Sequence, residues 1–169
     1  MIGWLKPLSL DLSKLIRFEP TRREFLTYPV IAIFMGKYLT PHFTIKEMRC
    51  KGTGICEMND VFMEILEQIR SEYGKPMFIS SGFRHPDHNE RVSSTGRTGP
   101  HTKGQACDVL CMGEDAMLIA KIAKELGMTG FGFRQHGPYQ KRFLHLDNLP
   151  NIVKVQKRPW TWSYQVKED

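Results

Sequence analysis

His101-Thr102-Lys103-Gly104-Gln105-Ala106-Cys107-Asp108 joins a Ser/Thr/Gly-rich loop to an apolar run that ends at Cys111. It reads as a loop delivering His101 and then a strand, from Gln105 to Cys111, that carries Asp108. An imidazole and a carboxylate seven positions apart can converge on a divalent cation if the chain turns between them, with Gly104 and Ala106 keeping the backbone slim beside the ion. Two donors do not make a site. The best third donor lies downstream, in Phe143-Leu144-His145-Leu146-Asp147, so the expected metal set is His101, Asp108 and His145 with zinc as the ion.

Outward from that stretch the pattern is regular. Asn59 is a good N-cap for a helix whose apolar residues Phe62, Ile65, Leu66 and Ile69 recur at helical spacing, and Gly74 and Pro76 end it. Met77 to Ser81 reads as a buried strand opening into Gly82-Phe83-Arg84-His85-Pro86, followed by one or two helical turns over 86–91. Val92 to Pro100 is a loop, and a second amphipathic helix runs from about Asp115 to Leu126, with Ala116, Ile119, Ala120 and Ala123 inward and Gly127 beyond its end. Gly130 to Arg134 and Arg142 to Asp147 are two further strands joined by a polar turn around His136-Gly137-Pro138. Helices and short strands without a strict βαβ repeat predict an α+β fold, a small antiparallel sheet with helices packed on it and the metal site at the sheet.

The chain has 169 residues, 41% of them hydrophobic and 11% aromatic, enough for one domain with a real core. Its net charge of +6 is carried by the ends. Lys and Arg outnumber Asp and Glu six to three in residues 1–38 and again in 141–169, whereas 39–140 balance at twelve each. Without a clustered basic face or a recognisable module this excludes nucleic acid as the expected partner, although the basic ends would favour an anionic polymer. Cys50, Cys56, Cys107 and Cys111 match no zinc-ribbon or C-x-x-C spacing. All four are expected reduced, with Cys107 and Cys111 buried, while Cys50 and Cys56 flank either a bridged loop or a plain turn. Met1 to Leu15 shows no secretion signal, and the apolar stretch Tyr28 to Met35 is too short to cross a bilayer, which takes about 20 residues. The expectation is synthesis in the cytoplasm with no stable membrane insertion. Residues 1–38 carry no chemical motif and read as an appended arm, or as an extension ahead of a start at Met35. The domain proper is expected over 39–164, with 165–169 as a tail, and the oligomeric state is left open.

Ser81-Gly82-Phe83-Arg84, His101-x-x-Gly104-x-Ala106-x-Asp108 and His145-x-Asp147, in that order, resemble the zinc D-alanyl-D-alanine carboxypeptidases and their relatives among peptidoglycan endopeptidases. Leu39-Thr40-Pro41-His42-Phe43-Thr44 and Arg158-Pro159-Trp160-Thr161-Trp162-Ser163-Tyr164 extend the likeness to small phage-encoded and bacterial members. The resemblance implies a zinc peptidase that hydrolyses the peptide part of bacterial peptidoglycan at the cell wall, as a carboxypeptidase, an endopeptidase or a phage endolysin. Two neutral imidazoles and a carboxylate leave zinc a fourth position for water, whose pKa falls to about 7 in such sites. Arg84 would pair with a peptide carboxylate or the developing oxyanion. Family members commonly carry a proton acceptor two or three residues before the last ligand, but here those positions are Phe143 and Arg142, which cannot accept one. Asp147, on the same strand face as His145, is the first candidate base or an orienting group, and His136 in the preceding turn is the second. His42, His85 and His88 read as structural or surface residues. The missing base keeps a rival open, a non-catalytic zinc-containing wall-binding or virion component.

Overall fold

The computed structural model describes residues 39–151 and 157–165. They carry four α-helices and five strands, in the order α1 (Ile45–Met48), α2 (Asp60–Tyr73), β1 (Phe78–Ser81), α3 (Pro86–Val92), β2 (Ala106–Leu110), α4 (Gly113–Glu125), β3 (Gly130–Arg134), β4 (Phe143–Asp147) and β5 (Trp160–Ser163). The helix ends follow from local chemistry. The Asn59 side chain accepts from Phe62 N at 3.0 Å, a cap worth about 1 kcal/mol, and Gly74 closes α2 at φ 72°. Thr44 and Glu47 form a reciprocal capping box on α1. That short helix was absent from the sequence-based expectation, although the Thr-x-x-Glu signal stands in the sequence.

The strands lie in the order β1-β2-β4-β3-β5. The first three pairings are antiparallel, as expected, but β5 runs parallel to β3, so the sheet is mixed. β4 already has β2 and β3 on its two edges. The returning chain therefore pairs with the outer edge of β3, in the same direction. β5 itself was not anticipated as a strand.

Alternation along the strands separates two faces. Cys107, Val109, Phe131, Leu144 and Leu146 point into one core with Phe62, Met63, Leu66 and Ile69 of α2 and Ile119, Ile122 and Ala123 of α4. Ala120, expected inward, is only partly buried, and Ile122 takes the inward place. On the opposite face a single row crosses all five strands: Ser81, Asp108, His145, Gly132 and Trp162 are successive register partners. A β-bulge between Ile79 and Ser81 puts Ser81, rather than Ser80, opposite Asp108. The helices α2 and α4 and the site thus occupy different faces of the sheet.

All four cysteines are free, with Cys50 and Cys107 buried and Cys56 and Cys111 partly so. Cys50 Sγ lies 3.2 Å from His88 Nδ1, and His42 pairs with the buried Glu67 of α2. Both histidines therefore have structural partners. Among the described residues no helix is long and apolar enough to cross a membrane.

Residues 1–38 and 166–169 lie outside the described residues, so the expected arm and most of the tail do too. Among the described residues the core cluster lies within 39–146. A chain starting at Met35 is accordingly expected to fold with a Tm within a few degrees of the full chain by scanning calorimetry; failure to fold would show that the arm belongs to the domain.

Candidate metal centre

Four residues, from the last of β1 onward, prepare the site one by one. Ser81 Oγ accepts from Arg84 Nε at 2.8 Å. The Gly82 carbonyl accepts from His101 Nδ1 at 2.7 Å. Phe83 is buried and its N–H bonds Met48 O at 2.7 Å, while Arg84 N–H bonds His101 O at 3.1 Å. Gly82 must be glycine for space, because a Cβ there would stand 2.6 Å from Met48 O. The Ser-Gly-Phe-Arg run is thus the bracket that holds His101.

The loop 93–100 reaches His101 under the control of Asn89, a buried α3 residue whose amide bonds Thr95 Oγ1 at 2.9 Å and Gly96 O at 2.7 Å. His101 opens a 3₁₀ turn (His101–Lys103) that Gly104 ends at φ 65°. A Cβ at Gly104 would stand 2.1 Å from Glu57 O and 2.8 Å from Asn59 N. The need for a small residue there comes from this crossing with the segment before α2, together with the left-handed backbone. That corrects the expectation that Gly104 slims the chain beside an ion.

Asp108 and His145 are direct register partners in neighbouring strands. With His101 they form the one group of three potential metal ligands among the described residues, all buried, with ligand atoms within 4.8 Å of one another. His145 Nδ1 stands 2.8 Å from Asp108 Oδ1 and 3.2 Å from His101 Nε2, and His101 Nε2 stands 3.3 Å from the same carboxylate oxygen. Each imidazole has its other nitrogen engaged, His101 Nδ1 by the Gly82 carbonyl and His145 Nε2 by Asp147 Oδ2 at 3.3 Å. These acceptors assign the N–H to the outer nitrogens, so both inner nitrogens present lone pairs. Two imidazole lone pairs and a carboxylate oxygen facing one point repel unless a cation lies among them. The donor set fits a divalent metal ion, and two nitrogens with one oxygen suit zinc.

Burial and charge oppose each other here. Burial alone would raise the Asp108 carboxyl, but the facing His101 and His145 outweigh it and hold its pKa below the ordinary range. Burial lowers the pKa of His101. For His145 burial works in the same direction, yet hydrogen bonds to Asp108 and Asp147 outweigh it and raise the pKa. The second oxygen of Asp108 takes Arg84 Nη2 at 2.7 Å, which leaves Oδ1 facing the histidines.

The other two sequence candidates are placed differently. Asp147 is fully buried behind the His145 ring, where its oxygens accept from Arg158 Nη1 at 2.9 and 3.1 Å and from Leu149 N at 3.1 Å. Its environment is that of an orienting carboxylate. His136 Nε2 lies 3.2 Å from the Tyr164 carbonyl, in the turn after β3, and does not join the cluster.

Residues of β5 and beyond, to which the sequence reading gave no site role, border the cluster. Trp162 tilts over the His145 ring at 5.2 Å between centroids, and Tyr164 stands edge-on to Phe143 at 5.0 Å and to Trp162 at 6.2 Å. Gly132 makes room for this wall, since a Cβ there would meet the Trp162 indole at 2.6 Å. The signal available in the sequence was the alternation of aromatic residues at 160, 162 and 164.

Comparison with known proteins gives one match. Neither the curated proteins nor the solved structures contain a significant match to the chain. A family model described as peptidase M15 matches residues 37–147, a span that includes His101, Asp108, His145 and the Ser81–Arg84 bracket. With two thirds of its length inside that model, the chain belongs to the peptidase M15 family and is a metallopeptidase.

Proposed function

We propose that the protein is a zinc-dependent peptidase that hydrolyses the peptide part of bacterial peptidoglycan and acts at the cell wall. The observation that carries this reading is the convergence of His101 Nε2, Asp108 Oδ1 and His145 Nδ1 on one point within a chain of the M15 family. His101, Asp108 and His145 would hold a zinc ion there, which would supply Lewis-acid polarisation of a scissile carbonyl and activation of water. Arg84, with Nε on Ser81 and Nη2 on Asp108, holds the ligand carboxylate and brings a fixed cation to the rim, where a peptide carboxylate or a developing oxyanion can use it. The aromatic wall of Trp162, Tyr164 and Phe143 gives the substrate a surface to lie against. Resemblance to small phage-encoded members supports an endolysin-like role, with carboxypeptidase and endopeptidase action as its two forms.

Replacing Arg84 by methionine removes the guanidinium while keeping much of the side-chain volume. It is expected to lower kcat by on the order of 10²-fold, as loss of one oxyanion donor does. Steady-state kinetics on a muropeptide check this, and an unchanged kcat would confine Arg84 to a structural role.

A second reading is favoured by one observation. Of the two candidate proton acceptors, Asp147 is held by Arg158 behind the His145 ring and His136 lies against the Tyr164 carbonyl, so neither joins the three ligand atoms. A non-catalytic zinc-containing wall-binding or virion component needs no such acceptor. Incubation with purified peptidoglycan, with and without chelator, followed by mass spectrometry separates the two. Chelator-sensitive release of D-alanine marks a carboxypeptidase, and internal cuts mark an endopeptidase. No cleavage by a protein shown to contain zinc would overturn the peptidase reading in favour of the binding role.

A further inference from the structure

The family match ends at Asp147, at the last residue of β4, yet the structure continues the site through that residue. Arg158 approaches Asp147 just before β5 begins, and both Asp147 oxygens lie within 3.1 Å of the Arg158 guanidinium. The side chains of His145, Asp147 and Arg158 are 3%, 0% and 3% exposed, so this is a fully enclosed chain of contacts. It runs from guanidinium to carboxylate to the Nε2 of His145, whose opposite nitrogen faces Asp108 and His101.

Three features show that the backbone is arranged around this contact. Gly130, the register partner of Asp147, leaves the space the pair fills, for a Cβ there would stand 2.0 Å from Asp147 Oδ2 and 2.2 Å from Arg158 Nη1. The Arg158 N–H is tied to Asn151 Oδ1 at 3.0 Å, and Trp160 N bonds Thr129 O at 2.8 Å, so the strand that follows Arg158 is fixed to the residue preceding Gly130. Thr129 N in turn bonds Asp147 O at 2.8 Å. Arginine and carboxylate are therefore both anchored at their backbones.

We infer that Arg158 is a positioning residue of the metal centre, clamping Asp147 so that the carboxylate holds the His145 ring in the Nε2–H tautomer with Nδ1 aimed at the ion. This rests on the metal reading above and extends it to a residue outside the matched span. A carboxylate behind a ligand imidazole fixes its orientation and raises its basicity, and losing such a partner typically weakens metal affinity about 10- to 100-fold. Asp147 can do so only while it is itself held. Without the guanidinium the Asp147 carboxylate loses its side-chain anchor and is free to turn away, which releases the ring. Lysine keeps the charge but lacks the planar guanidinium that packs against Gly130, so it should replace arginine only in part.

The test uses the full chain and measures zinc affinity by competition with a chromophoric chelator, together with the tautomer of His145 by long-range ¹H–¹⁵N correlation in the metal-free protein. Arg158→Met should raise the zinc Kd by about 10- to 100-fold and Arg158→Lys by less. In Arg158→Met the Nε2–H signature of His145 should give way to a mixture. Removing a buried partner can also unfold the protein. The double variant Asp147→Asn/Arg158→Met, which leaves no uncompensated buried charge, covers that case, and it should show no larger loss of affinity than the sum of a single pathway, that is, close to Arg158→Met alone. Wild-type zinc affinity and an unchanged His145 tautomer in the double variant would overturn the inference. A wild-type chain that binds no zinc would overturn the metal reading itself, a result recognisable before any variant is made.

Discussion

Replacing His145 with alanine is expected to give a protein that retains no stoichiometric zinc after dialysis and shows no metal-dependent hydrolysis. His145 supplies one of only two imidazoles in the cluster, and its Nδ1 makes the shortest contact with the Asp108 oxygen that faces both rings. What remains, His101 and Asp108, is a pair too small for a closed zinc site, which takes three or four protein ligands. The loss should be read by metal analysis and not by activity alone, because activity would vanish whatever role His145 had. Circular dichroism keeps the comparison fair, since Leu144 and Leu146 hold β4 in the core on the other face of the sheet. Stoichiometric zinc surviving in the variant would remove His145 from the ligand set and take the proposed centre with it.

Gly104→Ala is expected to be the most destabilising of the conservative changes. Two costs coincide at this position. The backbone sits at φ 65°, where a side chain costs about 1–2 kcal/mol. The new Cβ would also stand 2.1 Å from the Glu57 carbonyl oxygen. Backbone cannot swing aside as a flexible side chain does, and forced overpacking adds about 1–3 kcal/mol. Together they come to about 2–5 kcal/mol, or a fall in Tm of roughly 5–20 °C for a domain of this size. The hydrogen bond from Asn59 N to Gly104 O, 3.0 Å long, joins the start of α2 to the turn that begins with His101, so the strain should reach the metal cluster as well. Scanning calorimetry with and without zinc checks both effects. A Tm shift below a few degrees would mean that the crossing of the two segments is much looser than described.

These two positions illustrate what could be read in advance. His101, Asp108 and His145 were legible because ligand chemistry restricts residue type so strongly, and the structure brings all three together. The α2 helix was legible because its signals are local: Asn59 and Gly74 act within a turn of their own positions. Gly104 was visible as a glycine but given the wrong reason. The atoms it avoids belong to Glu57 and Asn59, and nothing local in the sequence says that this segment crosses there. Strand β5 was missed for a related cause, since its pairing is parallel and with a strand nearly thirty residues earlier, whereas Phe143–Asp147 lies close to its hairpin partner. Asp147 shared a strand face with His145, as period two requires, but alternation gives direction and not depth. Its burial against Arg158 depends on where the chain returns after residue 151.

The division of the sheet between a packed face and a chemical face has a consequence for how this protein can vary. On β4, positions 143, 145 and 147 face the site while 144 and 146 face the helices, and on β2 the same holds for 106, 108 and 110 against 107 and 109. Substrate preference and thermal resistance are thus written in alternate letters of the same short words. A lineage, or a library, can rewrite one set without repacking the other. Within a strand, the insertion or deletion of a single residue touches both at once, because it exchanges the two faces in one step.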